Sequence, residues 1–141
     1  LKKLDLKNDK IENYYIKSHN LGIVPKDLNK LQNKIFGIEC NYYELNGIDF
    51  KKGCYVGQEN TARIKLKNKL LKRLLPIKII HGQLIEEEKV YNNDIEIGKI
   101  LIEKEYPFAL IKYQDKNFDK EKTYKSKNGS FKIFIPEWLK I

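Results

Sequence analysis

The second half of the chain, from Arg73 onward, consists of short apolar runs separated by turn residues, and this pattern most strongly limits its fold. Runs of this length, rich in Ile, Leu, Phe and Tyr, are typical of β-strands. Pro76 predicts an edge or a bend, and Trp138 is expected to plug the end of the sheet. Because no helical period intervenes, we predict a small antiparallel barrel or sandwich. Its strands should cover 73–80, 89–91, 95–102, 108–113, 122–125 and 131–135, with turns at 92–94 and 128–129.

The first part of the chain carries helical patterns instead. Asp9 and Glu12 have the spacing of a capping box, which predicts a helix that ends at Gly22. Two further short helices are predicted, one capped by Asp27 and one over residues 38–45. The buried face of the first helix should consist of Ile11, Tyr14, Tyr15 and Ser18.

The lysine-rich strip 65–69 separates these two patterns. We therefore predict an α+β fold with two parts, an α+β segment over 1–66 and a β-barrel over 67–141. A chain of 141 residues with 41% hydrophobic content can bury a modest core. The chain has no Met, even at position 1, so we expect it to be a piece of a longer protein.

The densest chemistry lies in the window Lys51 to Glu59, which contains a thiol, an amide, a carboxylate, two lysines and two glycines. Its glycines interrupt the few apolar residues, so core packing does not explain it. A helix is predicted to begin after Gly57, and its first-turn N–H groups would attract anions. Such a helix end would also lower the pKa of Cys54 and make it partly thiolate.

The net charge of +9 raises the question of nucleic-acid binding. Only Arg63 and Arg73 of the 28 basic residues are arginines, and the lysines are spread along the whole sequence. Specific contacts to phosphates and bases favour arginine, and a binding footprint should form a patch. We therefore predict a solvated, lysine-rich surface and no nucleic-acid partner.

Two cysteines, Cys40 and Cys54, are too few for a disulfide framework or a structural zinc site. His19 is expected to be a core or boundary histidine rather than a ligand. Free thiols indicate a reducing compartment, and no run is apolar over the roughly 20 residues that cross a bilayer. We expect no metal site and no membrane association, and a protein of the bacterial cytoplasm.

The run Lys52-Gly53-Cys54-Tyr55-Val56-Gly57-Gln58-Glu59 resembles the KGCYxGQE signature of the YgfZ family. These folate-binding proteins are related to the aminomethyltransferase GcvT. Residues 45–50, Ala62-Arg63 and 72–75 are similar to the flanking sequence of that family, and the likeness extends from about Leu21 onward. It implies the C-terminal part of a GcvT/YgfZ-like fold, which forms a ring around a channel that binds tetrahydrofolate.

The resemblance implies a role with the iron–sulfur cluster assembly machinery or its client enzymes. Cys54 would be the working thiol, and Glu39 would hold the pterin ring through two N–H donors. Arg63 is a candidate partner either for Glu59 or for the anionic folate tail. The channel wall around the thiol would be formed by Lys52, Gly53, Tyr55, Gly57, Gln58 and Glu59.

Three functions remain open. The first is a folate-dependent accessory factor of iron–sulfur cluster assembly that uses Cys54. The second is an aminomethyltransferase that moves a one-carbon unit to tetrahydrofolate, and the third is a structural barrel with no small-molecule site. The cysteine motif favours the first, since a transferase that works by positioning and proton transfer has no evident need of a thiol. Whether the protein is an enzyme stays open.

Overall fold

A computed structural model describes residues 10–53, 56–66 and 70–140. Over these residues the fold is α+β, with two α-helices, one 3-10 helix and a closed antiparallel barrel of six strands, in the order β1-β4-β3-β2-β5-β6. The helices are α1 (Ile11–Asn20), a 3-10 helix (Leu28–Leu31) and α2 (Gln58–Leu66). The strands are β1 (Arg73–Gly82), β2 (Lys89–Asn92), β3 (Ile95–Ile102), β4 (Phe108–Ile111), β5 (Thr123–Lys125) and β6 (Gly129–Ile133).

The barrel follows the predicted strands closely. Its β2–β3 hairpin turns through Asn93 and Asp94, both with positive φ, as a tight two-residue hairpin turn requires. Pro76 lies where β1 changes partner: Arg73 to Pro76 pair with β4, and Ile77 to Gly82 pair with β6. The expectation of an edge at Pro76 is wrong, because each strand of the closed barrel has two neighbours. The proline instead lies at the point where β1 changes its partner strand.

Two hydrophobic clusters lie on opposite faces of the barrel wall. The first fills the interior with fully buried side chains, among them Val90, Tyr124 and Phe131. The second lies outside, where Leu31 and Cys40 pack on the outer face of β1, β3 and β4. The wall is thus covered on one side by the segment 24–40. Gly98 permits the close approach of β3 to β4, because a Cβ atom at this position would collide with the carbonyl oxygen of Leu110.

Helix α1 is where predicted, but its buried face is not. Ile11 is 64% exposed and Tyr14 is 60% exposed, while only Ser18 of the helix is buried. Tyr15 lies against the ring of Tyr106, at 5.8 Å between ring centroids. The cap proposed from Asp9 lies outside the described residues. The helical spacing of residues in the sequence identified the helix but not the side of it that contacts the barrel.

His19 occupies the boundary position expected of it. Its Nε2–H donates to the carbonyl oxygen of Pro107 at 3.0 Å, and its ring meets Phe108 edge-on at 5.0 Å. Burial lowers the pKa of His19, although the bond to Pro107 partly opposes this. Trp138 packs against the barrel core from the C-terminal segment, and its Nε1–H donates to the carbonyl oxygen of Leu21 at 3.0 Å.

The two other predicted helices differ from the structure. The one after Asp27 is a single 3-10 turn, and Asp27 has a left-handed backbone with no side-chain capping bond. Residues 38–45 form successive turns instead of a helix, because Asn41 has a φ of 62°. In the part of the chain that the structure describes, no helix is long and apolar enough to cross a membrane. The boundary predicted at 66/67 stays a prediction, since 67–69 lie outside the described residues.

Candidate functional site

The motif segment, residues 51–66, follows the turn region, residues 37–50, and ends with α2. Lys52 and Gly53 are exposed on one side, and Val56 is fully exposed on the other, at 104% of its reference area. Cys54 and Tyr55, between them, lie outside the described residues. The described parts of the motif therefore reach solvent, while the position of the candidate thiol stays a prediction.

The helix predicted after Gly57 is confirmed. Gly57 has a φ of 84°, a conformation that favours glycine, and its carbonyl oxygen accepts the Thr61 N–H at 3.2 Å. Gln58 opens the helix, and Glu59 lies in its first turn, where a negative charge is favoured. Arg63 donates to the Glu59 carboxylate at 2.7 Å, in an ion pair whose side chains are 60% and 83% exposed. Arg63 is thus a partner of Glu59, and its predicted role toward the folate tail stays a prediction.

The far end of α2 contacts the turn region. The Lys65 Nζ atom lies over the Tyr43 ring, 3.6 Å from its centroid, and 4.0 Å from that of Phe50. Two open cavities of about 410 and 600 Å³ lie on either side of this contact, and both are lined by Tyr43, Glu44 and Lys65. Cavities of this size are common for small-molecule sites. The smaller cavity extends to Arg73 and Tyr113.

A buried polar cluster forms one wall of the smaller cavity. Arg73 donates to Asn41 Oδ1 at 2.8 Å and to Glu44 Oε1 at 2.5 Å, and Asn41 in turn donates to the carbonyl oxygen of Leu74 at 2.9 Å. Burial disfavours the charged guanidinium, but the bond and charge of Glu44 outweigh it and raise the pKa of Arg73. Within the described residues, Arg73 Nε and Glu44 Oε2 are buried without a hydrogen-bond partner.

Arg73, Glu44 and Asn41 were not among the predicted site residues. Asn41 and Arg73 are separated by 32 positions, so no local pattern joins them. One signal was available, because Arg73 is one of only two arginines among 28 basic residues. A residue type used so rarely, where lysine serves elsewhere, indicates that a planar guanidinium is needed.

Glu39, the predicted pterin ligand, lies on the same turn region but points elsewhere. Its carboxylate accepts the N–H of Phe36 at 2.9 Å, and its main-chain carbonyl accepts the N–H of Leu74 at 2.8 Å. Glu39 does not line either of the two cavities described above. Its role toward folate stays a prediction, and Glu44 is the carboxylate with a spare buried oxygen at the cavity.

Cys40, the other cysteine of the chain, lies in an apolar environment. It is a free thiol, 8% exposed, packed in the outer hydrophobic cluster. Burial, with a further contribution from the charge of Glu39, raises the pKa of Cys40 to about 12. Such a thiol stays protonated and unreactive near neutral pH. Among the described residues no group of three or more His, Cys, Asp or Glu is placed to hold a metal ion.

Curated proteins resemble parts of this chain, although no protein-family model matches it. A Neurospora crassa protein named iron-sulfur cluster assembly factor IBA57 homolog, mitochondrial, is 34% identical over 97 residues, which are 60% of this chain and 22% of that protein. A Dictyostelium discoideum protein of the same name is 36% identical over 78 residues, 55% of this chain and 18% of its own. The Mus musculus iron-sulfur cluster assembly factor IBA57, mitochondrial, is 48% identical over 42 residues, 30% of this chain and 12% of its own.

The chain thus spans only a small part of the relatives that it matches, between 12% and 22% of their length in these three. Their names agree with the coarser part of the resemblance, which is iron–sulfur cluster assembly. The expectation of a bacterial cytoplasmic protein is wrong, because these relatives are named as mitochondrial proteins. Free thiols are compatible with any reducing compartment, so the residues used for that expectation do not distinguish one from another. The chain is similar, over part of its length, to mitochondrial iron–sulfur cluster assembly factors.

Proposed function

We propose that this protein acts in mitochondrial iron–sulfur cluster assembly, as a tetrahydrofolate-binding accessory factor that uses Cys54 as its working thiol. The observation that carries the proposal is the partial identity to relatives named as iron–sulfur cluster assembly factors. The motif at 52–59 supports the finer assignment, since it combines a thiol, an amide and a carboxylate within eight residues. Its partners would be the assembly machinery or the enzymes that receive the clusters.

The turn region and the start of β1 offer groups of the kind that a folate would need. Glu44 has a buried carboxylate oxygen to spare, and Arg73 a buried N–H, beside the ring of Tyr43. A carboxylate can accept two N–H donors of an aminopyrimidine, and aromatic rings can pack against a pterin. The residues present therefore fit such a cofactor, with Glu44 and Arg73 as the polar contacts beside those predicted from the motif. When bound, tetrahydrofolate would carry the one-carbon unit.

The proposed thiol chemistry needs more ligands than Cys54 alone can provide. One cysteine cannot hold an iron–sulfur cluster by itself, because each cluster needs several thiolates or equivalent ligands. Cys40 is poorly placed to supply a second thiolate, since it is 8% exposed and packed in the outer hydrophobic cluster. Any further ligand to iron held by Cys54 must therefore come from a partner, from a bound molecule or from another copy of the protein.

The test is complementation of cells that lack the protein, with the full-length gene and two variants. Cys54→Ala should leave the activity of iron–sulfur enzymes as low as in the deletion. Cys40→Ala, the matched control, should restore it, because Cys40 is buried and unreactive. Full rescue by Cys54→Ala would contradict the proposed thiol. If that rescue came with a loss of glycine cleavage in the deletion, the aminomethyltransferase alternative would be correct.

Folate binding needs a separate test. Calorimetry of the full-length protein with tetrahydrofolate should give saturable binding, and Glu44→Gln should weaken it about tenfold, as loss of a charged hydrogen-bond acceptor does. Glu121→Gln, at an exposed residue that lines neither of the two cavities beside Glu44, is the matched control and should bind normally. Absence of binding to the unaltered protein would remove folate from the proposal and leave the cluster-assembly role to the complementation test.

A further inference from the structure

Two pairs of lysines face each other across neighbouring strands of the barrel, and only one pair is neutralised. Lys89 of β2 lies opposite Lys99 of β3. Lys89 forms an ion pair with Glu96 at 2.7 Å, and Lys99 with Glu87 at 2.8 Å. Like charges directly opposite each other destabilise a sheet, so these two glutamates remove a cost that the sequence would otherwise carry.

The second pair has no such compensation. Lys78 of β1 lies opposite Lys132 of β6, and both are exposed. Within the part of the chain that the structure describes, neither lysine forms an ion pair. On the other side of Lys132 its partner is the uncharged Thr123 of β5. The fold therefore keeps two unpaired positive charges together at a place where a single acidic residue would stabilise it.

These lysines belong to a larger open groove of about 1090 Å³ between β6, the loop 113–122 and the C-terminal segment 134–140. Its floor includes Phe134, which is 44% exposed, beside Ile135. Asp119 also lines the groove, but its carboxylate accepts the N–H of Glu121 within its own loop, at 3.0 Å. The groove is lined by six exposed lysines, Lys78, Lys116, Lys120, Lys122, Lys132 and Lys140, against three acidic residues, Asp119, Glu121 and Glu137.

The kind of ligand follows from the shape and chemistry of this groove. Its volume lies at or above the upper end of small-molecule sites, and its lysines are exposed, so it suits a chain segment better than a small anion. The groove contains no arginine, the residue that best contacts phosphates and bases in two-point fashion, which argues against nucleic acid. At Lys132, β6 already pairs with β1 on one side and with β5 on the other, so its main chain is not open to a further strand and recognition there must use side chains.

We propose that this groove, here called the lysine groove, binds an acidic segment of a partner protein. The carboxylates of that segment pair with Lys78 and Lys132, and an apolar side chain packs on Phe134. The positive groove speeds the encounter with the acidic partner and fixes its orientation. The proposal concerns a surface on the barrel and does not depend on the chemistry of Cys54.

The test uses the full-length protein and a fluorescein-labelled peptide of mixed glutamate and phenylalanine, followed by fluorescence anisotropy. The peptide should bind, and binding should weaken as salt is added. Lys132→Glu should weaken it about tenfold. The same substitution should raise Tm, because Lys78 then faces a carboxylate instead of a like charge. The double variant Lys104→Glu with Lys127→Glu, exposed lysines outside the groove, is the matched control and should bind within about twofold of the unaltered protein.

Four results would overturn the proposal. The first is equal weakening by the control variant, which would indicate a general charge effect. The second is a fall in Tm with Lys132→Glu, which would show that the lysine pair supports the fold. The third is absence of peptide binding, including the case in which single-stranded DNA or vesicles of anionic lipid bind instead. A peptide with glutamine in place of glutamate should not bind, and binding equal to that of the acidic peptide would also contradict the charge pairing.

Discussion

The barrel and the motif segment before it use their side chains in opposite ways. Inside the barrel, Val90, Ile97 and Phe131 are fully buried. In the motif segment, Val56 is 104% exposed and Leu66 is 85% exposed. None of the residues between 49 and 66 whose side chains the structure describes is buried. The barrel therefore supplies most of the buried core among the described residues, whereas the described side chains of the motif segment add little to it.

The difference indicates that substitutions in the two regions should have different consequences. A buried side chain cannot be replaced without a loss of packing, so the barrel interior should tolerate few substitutions. An exposed side chain makes few contacts, and its replacement costs the fold little. We therefore expect changes in the barrel to lower stability, and changes in the motif segment to affect function alone.

The largest effect is expected for Phe131→Ala. This side chain is 0% exposed and packs near Tyr124, at 6.4 Å between ring centroids, so its removal leaves a cavity. The free energy of unfolding should fall by about 3–5 kcal/mol. Val56→Ala is the matched control, for which a change of less than about 0.5 kcal/mol is expected. Urea denaturation of both variants measures this, and a similar loss in the two would remove the proposed division.

A second prediction concerns Arg73, which joins the barrel to the turn region that precedes the motif segment. Arg73→Leu would leave Glu44 with an unpaired buried charge and Asn41 without its donor, and should cost about 3 kcal/mol. Arg63→Leu, at the other arginine of the chain, should change the free energy of unfolding by no more than about 0.5 kcal/mol, because its ion pair is exposed. If the variant with Glu44→Gln added to Arg73→Leu is no more stable than the single one, the unpaired charge is not the cause.

Local patterns in the sequence predicted the elements better than their partners. The strands were found because their apolar runs and turn residues, such as Asn93 and Asp94, are local signals. The strand pattern by itself allowed a barrel or a sandwich, and the predicted barrel is the one that forms, because β1 pairs with β4 and then with β6. That choice is made by contacts between residues far apart in sequence.

The same limit explains what was missed around the candidate site. The helix after Gly57 was predicted, because a glycine followed by a run without breakers is a local signal. The contact face of α1 was not, since it is set by Tyr106 and Pro107, about 90 positions later. The cluster of Arg73 with Asn41 and Glu44 was missed for the same reason.

A moderate, pH-dependent effect is expected at His19, where α1 contacts the barrel. Burial lowers the pKa of His19 in the folded state below its usual 6.5. The folded protein then binds fewer protons at this site than the unfolded chain, so stability is full above pH 6.5 and falls as the pH drops below it. Each unit of pKa difference contributes about 1.4 kcal/mol.

His19→Gln keeps an N–H donor for Pro107 but does not titrate. The loss of stability between about pH 6.5 and 5 should therefore shrink in this variant, as followed by urea denaturation at several pH values. His81→Gln is the matched control, because it replaces the other histidine of the chain, which is exposed near the end of β1. A steeper or unchanged slope in His19→Gln would show that other groups cause the acid sensitivity.

The smallest effect on stability is expected for Glu59→Ala, within the motif itself. The ion pair of Glu59 with Arg63 is exposed and spans one helical turn, so its loss should cost at most about 0.5 kcal/mol. If Glu59 shapes the site as the motif predicts, complementation should nevertheless fall well below that of the unaltered gene. Lys99→Ala, which breaks a partly exposed ion pair with Glu87 in the barrel, should have a similarly small effect on stability and none on complementation. Equal activity of the two variants would mean that Glu59 only supports α2, and the chemistry of the motif would then have to lie in its other residues.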